Sequence, residues 1–285
     1  MSAPPIFRLV GERRVSVVRD VAAVCRVFDQ DPVGSCMVAA RIADHGTTDP
    51  NSIGGELWTY RGVDESLCYA GANLIPLRGG PADLTAFADE AMRVSRRCSS
   101  LVGRAELVLP MWRRLEPVWG PARDVRENQP LMALSSMPAC AIDPGVRQVR
   151  PDELEAYLVA AVDMFISEVG VDPRLGDGGR GYRRRVASLI SAGRAWARFE
   201  HGEVVFKAEV GSQSPAVGQI QGVWVHPERR GQGLGTAGTA TLAAVIVGTG
   251  RIASLYVNSF NTVARAAYAR VGFVEVGTFA TVLLD

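Results

Sequence analysis

The chain of 285 residues is 47% hydrophobic and 21% charged, with 31 basic and 30 acidic side chains and a net charge of +1. That composition is globular. It excludes a disordered tail, a coiled coil and a disulfide-stapled miniature, and the balanced charge argues against nucleic-acid binding by phosphate neutralisation. At roughly 100–200 residues per domain, the length suggests two domains or one large one.

Met1 to Asp20 mixes Pro4, Pro5, Arg8, Glu12, Arg13 and Arg14 with short apolar runs and has no continuous signal-peptide core. No stretch approaches the roughly 18 uninterrupted apolar residues of a membrane span. The expectation is a soluble, cytoplasmic protein with neither a membrane nor a nucleic acid as partner. Cys25, Cys36, Cys68, Cys98 and Cys140 are odd in number and widely spaced, without a CxxC pair. They read as reduced thiols, not as a zinc site or a disulfide framework. His45, His201 and His226 are too scattered for a metal site, so no metal is expected. Nearly all the basic residues are arginine; Lys207 is the one lysine, which makes acetylation of the chain's own lysines a minor matter.

In the first half, residues 56–60 and 67–76 read as a hairpin-like pair of strands around Arg61-Gly62. Residues 82–97 read as a helix, 99–102 as a short strand, 107–119 as a helix ending at Gly120, and 124–134 as a segment ending in strand. Residues 135–145, rich in Ser, Pro and Gly, read as a seam. The expected division is a first domain over 1–138, a linker over 139–145 and a second domain over 146–285.

The second half opens with a strand over 146–149. A helix over 151–169 has Pro151 at an early position, with Leu154, Tyr157, Leu158, Ala161, Met164 and Phe165 at helical spacing. A Gly- and Asp-rich loop over 171–181 leads to a short basic helix over 182–192. Residues 195–199 and 204–210 form a hairpin around His201-Gly202, and 217–225 form another strand. A buried apolar helix over 235–247, a strand over 252–257, a helix over 262–271 capped by Gly272 and a strand over 273–284 complete the chain. The order hairpin, helix, strand, helix, strand occurs in both halves, which suggests a duplication, though α+β proteins often show such strings.

The chemistry concentrates in Val223-Trp224-Val225-His226-Pro227-Glu228-Arg229-Arg230-Gly231-Gln232-Gly233-Leu234-Gly235-Thr236. A strand ends at Pro227, glycines follow, and a helix begins. Glycines let the backbone approach a ligand closely. Several amides then converge in front of the positive end of a helix dipole, which suits a phosphate or pyrophosphate, and Arg230 adds a fixed charge. A P-loop is excluded because Leu234-Gly235-Thr236 carries no lysine. Gly233, Gly235 and Gly238 match GxGxxG formally. A dinucleotide site would need the glycines directly after a strand and an acidic residue about 20 positions on. Here Pro227 to Arg230 intervene, and no Asp or Glu occurs from Gly238 to Val274.

The order Arg230, Gly233, Gly235 resembles the coenzyme A pyrophosphate loop of the GNAT superfamily of N-acyltransferases. A second block agrees: Asn261, Ala264, Tyr268, Gly272 and Phe273 match that family's Asn-x-x-Ala-x-x-x-Tyr-x-x-x-Gly-Phe pattern. The resemblance covers about residues 146–285. It implies an α+β fold, a central, mostly antiparallel sheet flanked by helices, with two such domains in tandem. It also implies acetyl-CoA as acyl co-substrate. Val223, Trp224, Val225, Arg230, Gly231, Gln232, Gly233, Leu234, Gly235 and Thr236 would hold the coenzyme, with Asn261 on the pantetheine arm. Backbone groups of Val223 to Val225 would pair with that arm, and one amide would polarise the acyl carbonyl. The hydroxyl of Tyr268 would protonate the leaving thiolate as general acid. Read without the resemblance, Asn261 is a helix cap and Tyr268 a core aromatic.

Many relatives carry a glutamate base where Gln219 stands, and others one where Tyr256 stands; neither residue is a base here. Glu209 on the preceding strand is the general-base candidate, and otherwise a solvent-facing strand carboxylate. In the first half, Leu77-Arg78-Gly79-Gly80-Pro81 occupies the corresponding turn without the glycine spacing, and Pro81 removes an amide. The Asn and Tyr pattern is absent around Met111 to Leu115, so this layout is similar to tandem GNAT proteins with a degenerate first copy and no coenzyme there. The run Arg183-Arg184-Arg185 reads as a solvated helix face, or as a contact to the coenzyme's 3′-phosphate or an acidic substrate.

The sequence therefore points to transfer of an acetyl group from acetyl-CoA to a primary amine of a small molecule or peptide, by direct attack in a ternary complex. No cysteine after Cys140 offers a covalent route. A non-catalytic acyl-CoA-binding or sensing protein is the alternative, and a nicotinamide oxidoreductase rests only on the glycines of 233–238. Either a monomer or a homodimer is compatible.

Overall fold

The computed structural model describes residues 14–285. Most of the N-terminal stretch read as lacking a signal core falls on 1–13, outside the described residues. In chain order the elements are β1 (Ser16–Val17), α1 (Val21–Gln30), α2 (Cys36–His45), α3 (Pro50–Ile53), β2 (Gly55–Thr59), β3 (Leu67–Gly71), β4 (Asn73–Arg78), α4 (Pro81–Arg93), β5 (Ser100–Arg104), α5 (Ala105–Trp119) and β6 (Asp124–Leu134). They continue with β7 (Arg147–Gln148), α6 (Leu154–Val169), α7 (Arg180–Ser191), β8 (Ala195–Glu200), β9 (Glu203–Gln213), β10 (Val217–Val225), α8 (Leu234–Gly248), β11 (Ile252–Tyr256), α9 (Thr262–Val271) and β12 (Val274–Leu283).

Two compact units result. One comprises residues up to Gln30, His45–Glu127 and Ala280–Asp285; the other comprises Asp31–Asp44 and Asn128–Phe279. The residues read as a linker, 139–145, lie inside the second unit and are tied down there. Ala139 N–H donates to the Val271 carbonyl at 2.9 Å, Asp143 N–H donates to Thr241 Oγ1 at 2.9 Å, and the Asp143 carboxylate pairs with Arg198 at 2.9 Å. The chain changes unit once at the end of α1 and three times within regular elements, α2, β6 and β12, where sequence composition gives no sign of a boundary.

Each unit has the same succession. In the first, β2, β3 and β4 pair antiparallel in turn, α4 crosses over, β5 pairs parallel with β4, and α5 follows. In the second, β8, β9 and β10 pair antiparallel in turn, α8 crosses over, β11 pairs parallel with β10, and α9 follows. The repeated order seen in the sequence is thus a repeated topology. One expected strand, 67–76, is two: the chain reverses at Gly71-Ala72-Asn73, so that Ala70 faces Leu74. A Cβ on Gly71 would lie 2.6 Å from the Gly54 carbonyl oxygen, so only glycine fits this reversal. Pro76, which cannot donate to the ladder, sits beside a register shift at Leu67/Cys68.

Helices α1 and α2 were not anticipated. The signal for α1 was present: Asp20 accepts from Ala23 N–H at 3.1 Å as a cap, and Val24, Val27 and Phe28 recur at helical spacing on its buried face.

The second unit buries both faces of its sheet. On one face Ile246 of α8 and Tyr268 and Val271 of α9 share a cluster with Phe206, Ile220 and Leu255 of the sheet and with Phe273. On the other, Tyr157, Ala161 and Met164 of α6 and Val186 and Ile190 of α7 share a cluster with Trp224. Alternation along β10 sends Val223 and Val225 to the first face and Trp224 to the second. Helix α8 lies close against the sheet because of Gly238, where a Cβ would fall 2.5 Å from the fully buried ring of Phe206. Alanine is the better helix former by about 1 kcal/mol, yet Gly238→Ala is expected to destabilise the protein by about 1–3 kcal/mol through overpacking. A lowered urea midpoint with an unchanged slope would register this.

Candidate functional site

Strand β10 has two neighbours and leaves one of them early. It pairs in parallel with β11 only over Val217–Gln219 against Ile252–Ser254. Strand β11 continues to Tyr256 against β6 instead, while β10 continues to Val225 against β9. From Ile220 onward the β11-facing edge of β10 therefore keeps unpaired backbone groups. At the last shared rung, Gln219 Nε2 and Ser254 Oγ are buried without hydrogen-bond partners among the described residues, which is rare for buried polar atoms.

The β9 side of β10 carries a bulge. Gln221 faces Glu209, but Trp224 faces Lys207, so two residues of β10 oppose one of β9. The extra residue is accommodated at Gly222, whose φ of +59° a side chain disfavours.

Beyond β10 the chain makes a short 3-10 turn, Pro227–Arg229, and reaches α8 through Gly231 and Gly233 at φ of +77° and +84°. A Cβ on either glycine would meet nothing within 4 Å, so the backbone there faces open space. No side chain caps α8, and Ala237 N–H bonds back to the Gly233 carbonyl at 3.0 Å. The N–H groups of Leu234, Gly235 and Thr236 thus stand at the positive end of a 15-residue helix. Arg230 Nε donates to the Val225 carbonyl at 3.3 Å, which anchors its guanidinium beside the loop. Gln232 bridges to Arg229 and to the Glu228 carbonyl. The arrangement fits a pyrophosphate.

On α9, Asn261 caps the helix: its side-chain oxygen accepts from Ala264 N–H at 3.1 Å. Tyr268 is buried in the same apolar cluster as Val223, Val225 and Ala264, its ring edge-on to Phe273 at 6.3 Å. Its hydroxyl makes no hydrogen bond among the described residues. Burial, reinforced by the charge of Glu168, pushes that hydroxyl far up, so it holds its proton at neutral pH. Tyr256 packs on Phe279 at 5.3 Å.

Glu209 is 2% exposed, not solvent-facing. It lies on the α6 face, under the bulge, with Lys207 fully buried beside it. Lys207 Nζ donates to Glu209 Oε1 at 2.9 Å and stands 5.3 Å over the Tyr157 ring. The Tyr157 hydroxyl donates to the same oxygen at 3.3 Å, and Gln221 Nε2 donates to the other at 3.4 Å. Burial pushes the Glu209 carboxyl up, but Lys207, Arg185 and the hydrogen bonds outweigh it and hold the group below the usual carboxylate range. A Cβ on Gly222 would lie 3.2 Å from Lys207 Nζ and 3.6 Å from Glu209 Cδ. The pair therefore occupies the space that a side chain at 222 would fill. Sequence reasoning singled out Glu209, but not the Lys207, Tyr157, Gln221 and Gly222 that the structure places around it. The available signal was a lone lysine within the apolar strand Val204-Val205-Phe206-Lys207-Ala208.

The basic helix α7 borders an open cavity of about 530 Å³ lined by Asp177, Arg180, Arg183 and Arg184. Asp177 is consumed by the loop, accepting from Gly179 and Gly181 N–H at 2.8 and 2.7 Å. Arg183 pairs with Glu155 at 2.6 Å. Among the described residues no cluster suited to a metal ion is present, and no helix is long and apolar enough to cross a membrane.

Residues 177–273 match the acetyltransferase (GNAT) family, and residues 55–157 match a domain of unknown function, DUF4081. No curated protein sequence matches the chain. Solved structures do. A GNAT-family acetyltransferase from Colwellia psychrerythraea is 10% identical, with 95% of this chain and 100% of that one covered and a TM-score of 0.57. A Drosophila protein is 13% identical, with 95% and 99% covered and a TM-score of 0.66. A GCN5-related N-acetyltransferase from Kribbella flavida is 18% identical, with 87% and 96% covered and a TM-score of 0.50. At such identities the likeness concerns the fold.

Removing one partner of a buried ion pair costs about 3–5 kcal/mol because the other charge is stranded. Lys207→Met is expected to cost that much at neutral pH. Glu209, depressed in the folded protein, contributes stability above its unfolded pKa of about 4.3 that is lost as pH falls through its folded value. In the variant the stranded carboxyl protonates readily, so the gap between the two proteins narrows below about pH 4. Urea titrations at both pH values measure this, and Lys207→Met with Glu209→Leu should recover most of the loss.

Proposed function

We propose that the protein moves an acetyl group from acetyl-CoA to a primary amine of a small molecule or peptide, on the premise that the match of residues 177–273 to the GNAT acetyltransferase family makes this part of the chain an acetyltransferase domain. The observation that carries this reading is the parting of β10 from β11 directly before an uncapped, glycine-entered helix. In this reading the coenzyme's pyrophosphate sits on the amides of Gly231 to Thr236, with Arg230 adding positive charge. The pantetheine arm lies along the open edge of β10, at Val223 to Val225, and Asn261, exposed at the start of α9, offers its amide N–H groups to the arm.

Direct attack needs three things of the protein: a donor for the oxyanion, an acceptor for the amine proton and a donor for the leaving thiolate. A backbone N–H at the bulge serves the first, since the extra residue turns an amide out of the β9 ladder. Glu209 serves the second. Its carboxylate is ionised at neutral pH and approaches the bulge from the neighbouring strand, where Gly222 leaves room for it. Tyr268 serves the third; its hydroxyl carries a proton and has no competing partner among the described residues. Chemistry proceeds in a ternary complex without a covalent enzyme intermediate.

A sensing protein that binds acyl-CoA without turnover is the second reading. It is favoured by the same Glu209 carboxylate, which already accepts from Lys207, Tyr157 and Gln221 and is a correspondingly weaker base. The two readings part on Tyr268→Phe. An enzyme loses about 10²–10⁴ in turnover while keeping its coenzyme, whereas a sensor binds normally and turns over nothing in either form. Both require the coenzyme seat. At 100 times its Kd a ligand adds about 2.7 kcal/mol, so acetyl-CoA should raise the melting temperature by several degrees, NADH should not, and Gly233→Glu should abolish the effect. No shift with millimolar acetyl-CoA would remove both readings.

A further inference from the structure

The buried pair of Lys207 and Glu209 has a consequence beyond acyl transfer to an external amine. We propose that Lys207 is itself an acyl acceptor: with acetyl-CoA seated where β10 and β11 part and no amine substrate present, the protein acetylates its one lysine. This rests on the acyl-CoA reading of the parting.

Five observations carry it. Lys207 is the chain's one lysine, it is fully buried, and its Nζ lies against the bulge, 3.2 Å from where a Cβ on Gly222 would be. That bulge belongs to the strand segment whose backbone receives the acyl carbonyl in the proposed reading. Residue 222 has no side chain of its own to stand between them. Fourth, the ammonium has N–H groups to spare: among the described residues its one hydrogen bond is to Glu209 Oε1, and the aromatic contact with Tyr157 uses the ring face. Fifth, the group needed to make the amine nucleophilic is already bound to it, a carboxylate at 2.9 Å.

The surroundings favour the step. Facing the pair are the hydroxyl of Tyr157 from α6, the amide of Gln221 from β10 and the charge of Arg185 from α7; Met164 closes the α6 side. Glu209 takes one proton from the ammonium, which leaves a neutral amine. Nζ attacks the thioester carbonyl carbon, a carbon–nitrogen bond forms, and the carbon–sulfur bond breaks. The second amine proton reaches the sulfur, and coenzyme A leaves as the thiol. An ammonium and a carboxylate become a neutral amide and a neutral carboxylic acid. The buried site carries no net charge before or after, so the product does not strand a charge inside the protein. As a purely structural device the pair is hard to justify, since apolar residues of similar volume often serve stability equally well.

The test uses the full chain, incubated with acetyl-CoA without an amine and followed by intact mass and peptide mapping. The expected result is one acetyl group per chain, on Lys207, absent from Lys207→Arg and from Gly233→Glu, and formed much more slowly in Gly222→Ala, whose new Cβ stands between the amine and the strand. Mapping separates Lys207 from the N-terminal amine, and melting curves establish that each variant is folded. Unmodified Lys207 in a protein that acetyl-CoA stabilises would overturn the proposal and leave the acyl-CoA reading standing. Unmodified Lys207 without stabilisation would overturn both. Equal modification of the wild type and Gly233→Glu would show acylation independent of the coenzyme seat and would also overturn it.

Discussion

The candidate site depends on one constraint in the backbone of β10. A strand in the middle of a sheet must satisfy two edges, and β10 satisfies its second edge only as far as Gln219. Past that rung it is free on the β11 side, and its bulge at Gly222 adds twist that keeps the two strands apart. A regular strand there would close the opening and pair its amides with β11. Backbone groups inside a protein need partners, from the chain, from water or from a ligand. In the proposed reading the pantetheine arm of coenzyme A is that ligand, and the helix start a few residues downstream offers amides to its pyrophosphate.

The same bulge sets the chemistry of the opposite face. An ordinary residue at 222 would push its side chain into Lys207 and Met164. Glycine leaves that space to Lys207 and Glu209 of the neighbouring strand, which is why the candidate carboxylate lies on β9. Its ionisation is a contest of magnitudes. Desolvation alone would drive a buried carboxyl up, yet Lys207, Arg185 and the donated hydrogen bonds reverse the direction. A carboxylate so held is a weaker base, ionised at neutral pH, and its proton affinity rises if Lys207 loses its charge.

Much of the second unit was legible because its signals are local. Val217–Val225 and Thr262–Val271 emerge with the expected bounds, since apolar alternation, the Asn261 cap and the Gly272 C-cap each mark an element by itself. The glycine loop was legible for the same reason. What escaped depends on contacts distant in sequence. For Glu209 a solvent-facing carboxylate stood as the alternative to a base, because an isolated strand carboxylate usually faces water; its pairing with Gln221 and the packing of Tyr157 from α6 bury it. Lys207 passed as a curiosity of composition until the bulge placed it under Gly222. Three of the four changes of unit escaped because they fall within α2, β6 and β12, with no break in helical or strand pattern; the fourth, after Gln30, is at the end of α1, a helix the sequence reading did not anticipate.

The two units also show how one topology can be open or closed to an anion. In the second, α8 begins after glycines, has no acidic residue in its first turn and has no side-chain cap. In the first, α4 begins after Gly79-Gly80, but its own Asp83 accepts from the Gly80 N–H at 2.8 Å. Arg61 then holds that carboxylate through Nε at 2.7 Å and a second, shorter contact. Desolvation opposes ionisation of Asp83, and the Arg61 bonds with the Gly80 amide more than compensate, so the group stays charged. The helix dipole of α4 is therefore answered within the chain, and Pro81 withholds the amide that might have reached further. Opening that position to a phosphate would require losing Asp83, which would leave Arg61 without its buried partner. The difference between the copies thus lies in whether a helix start is neutralised by a side chain three residues along or left for a ligand.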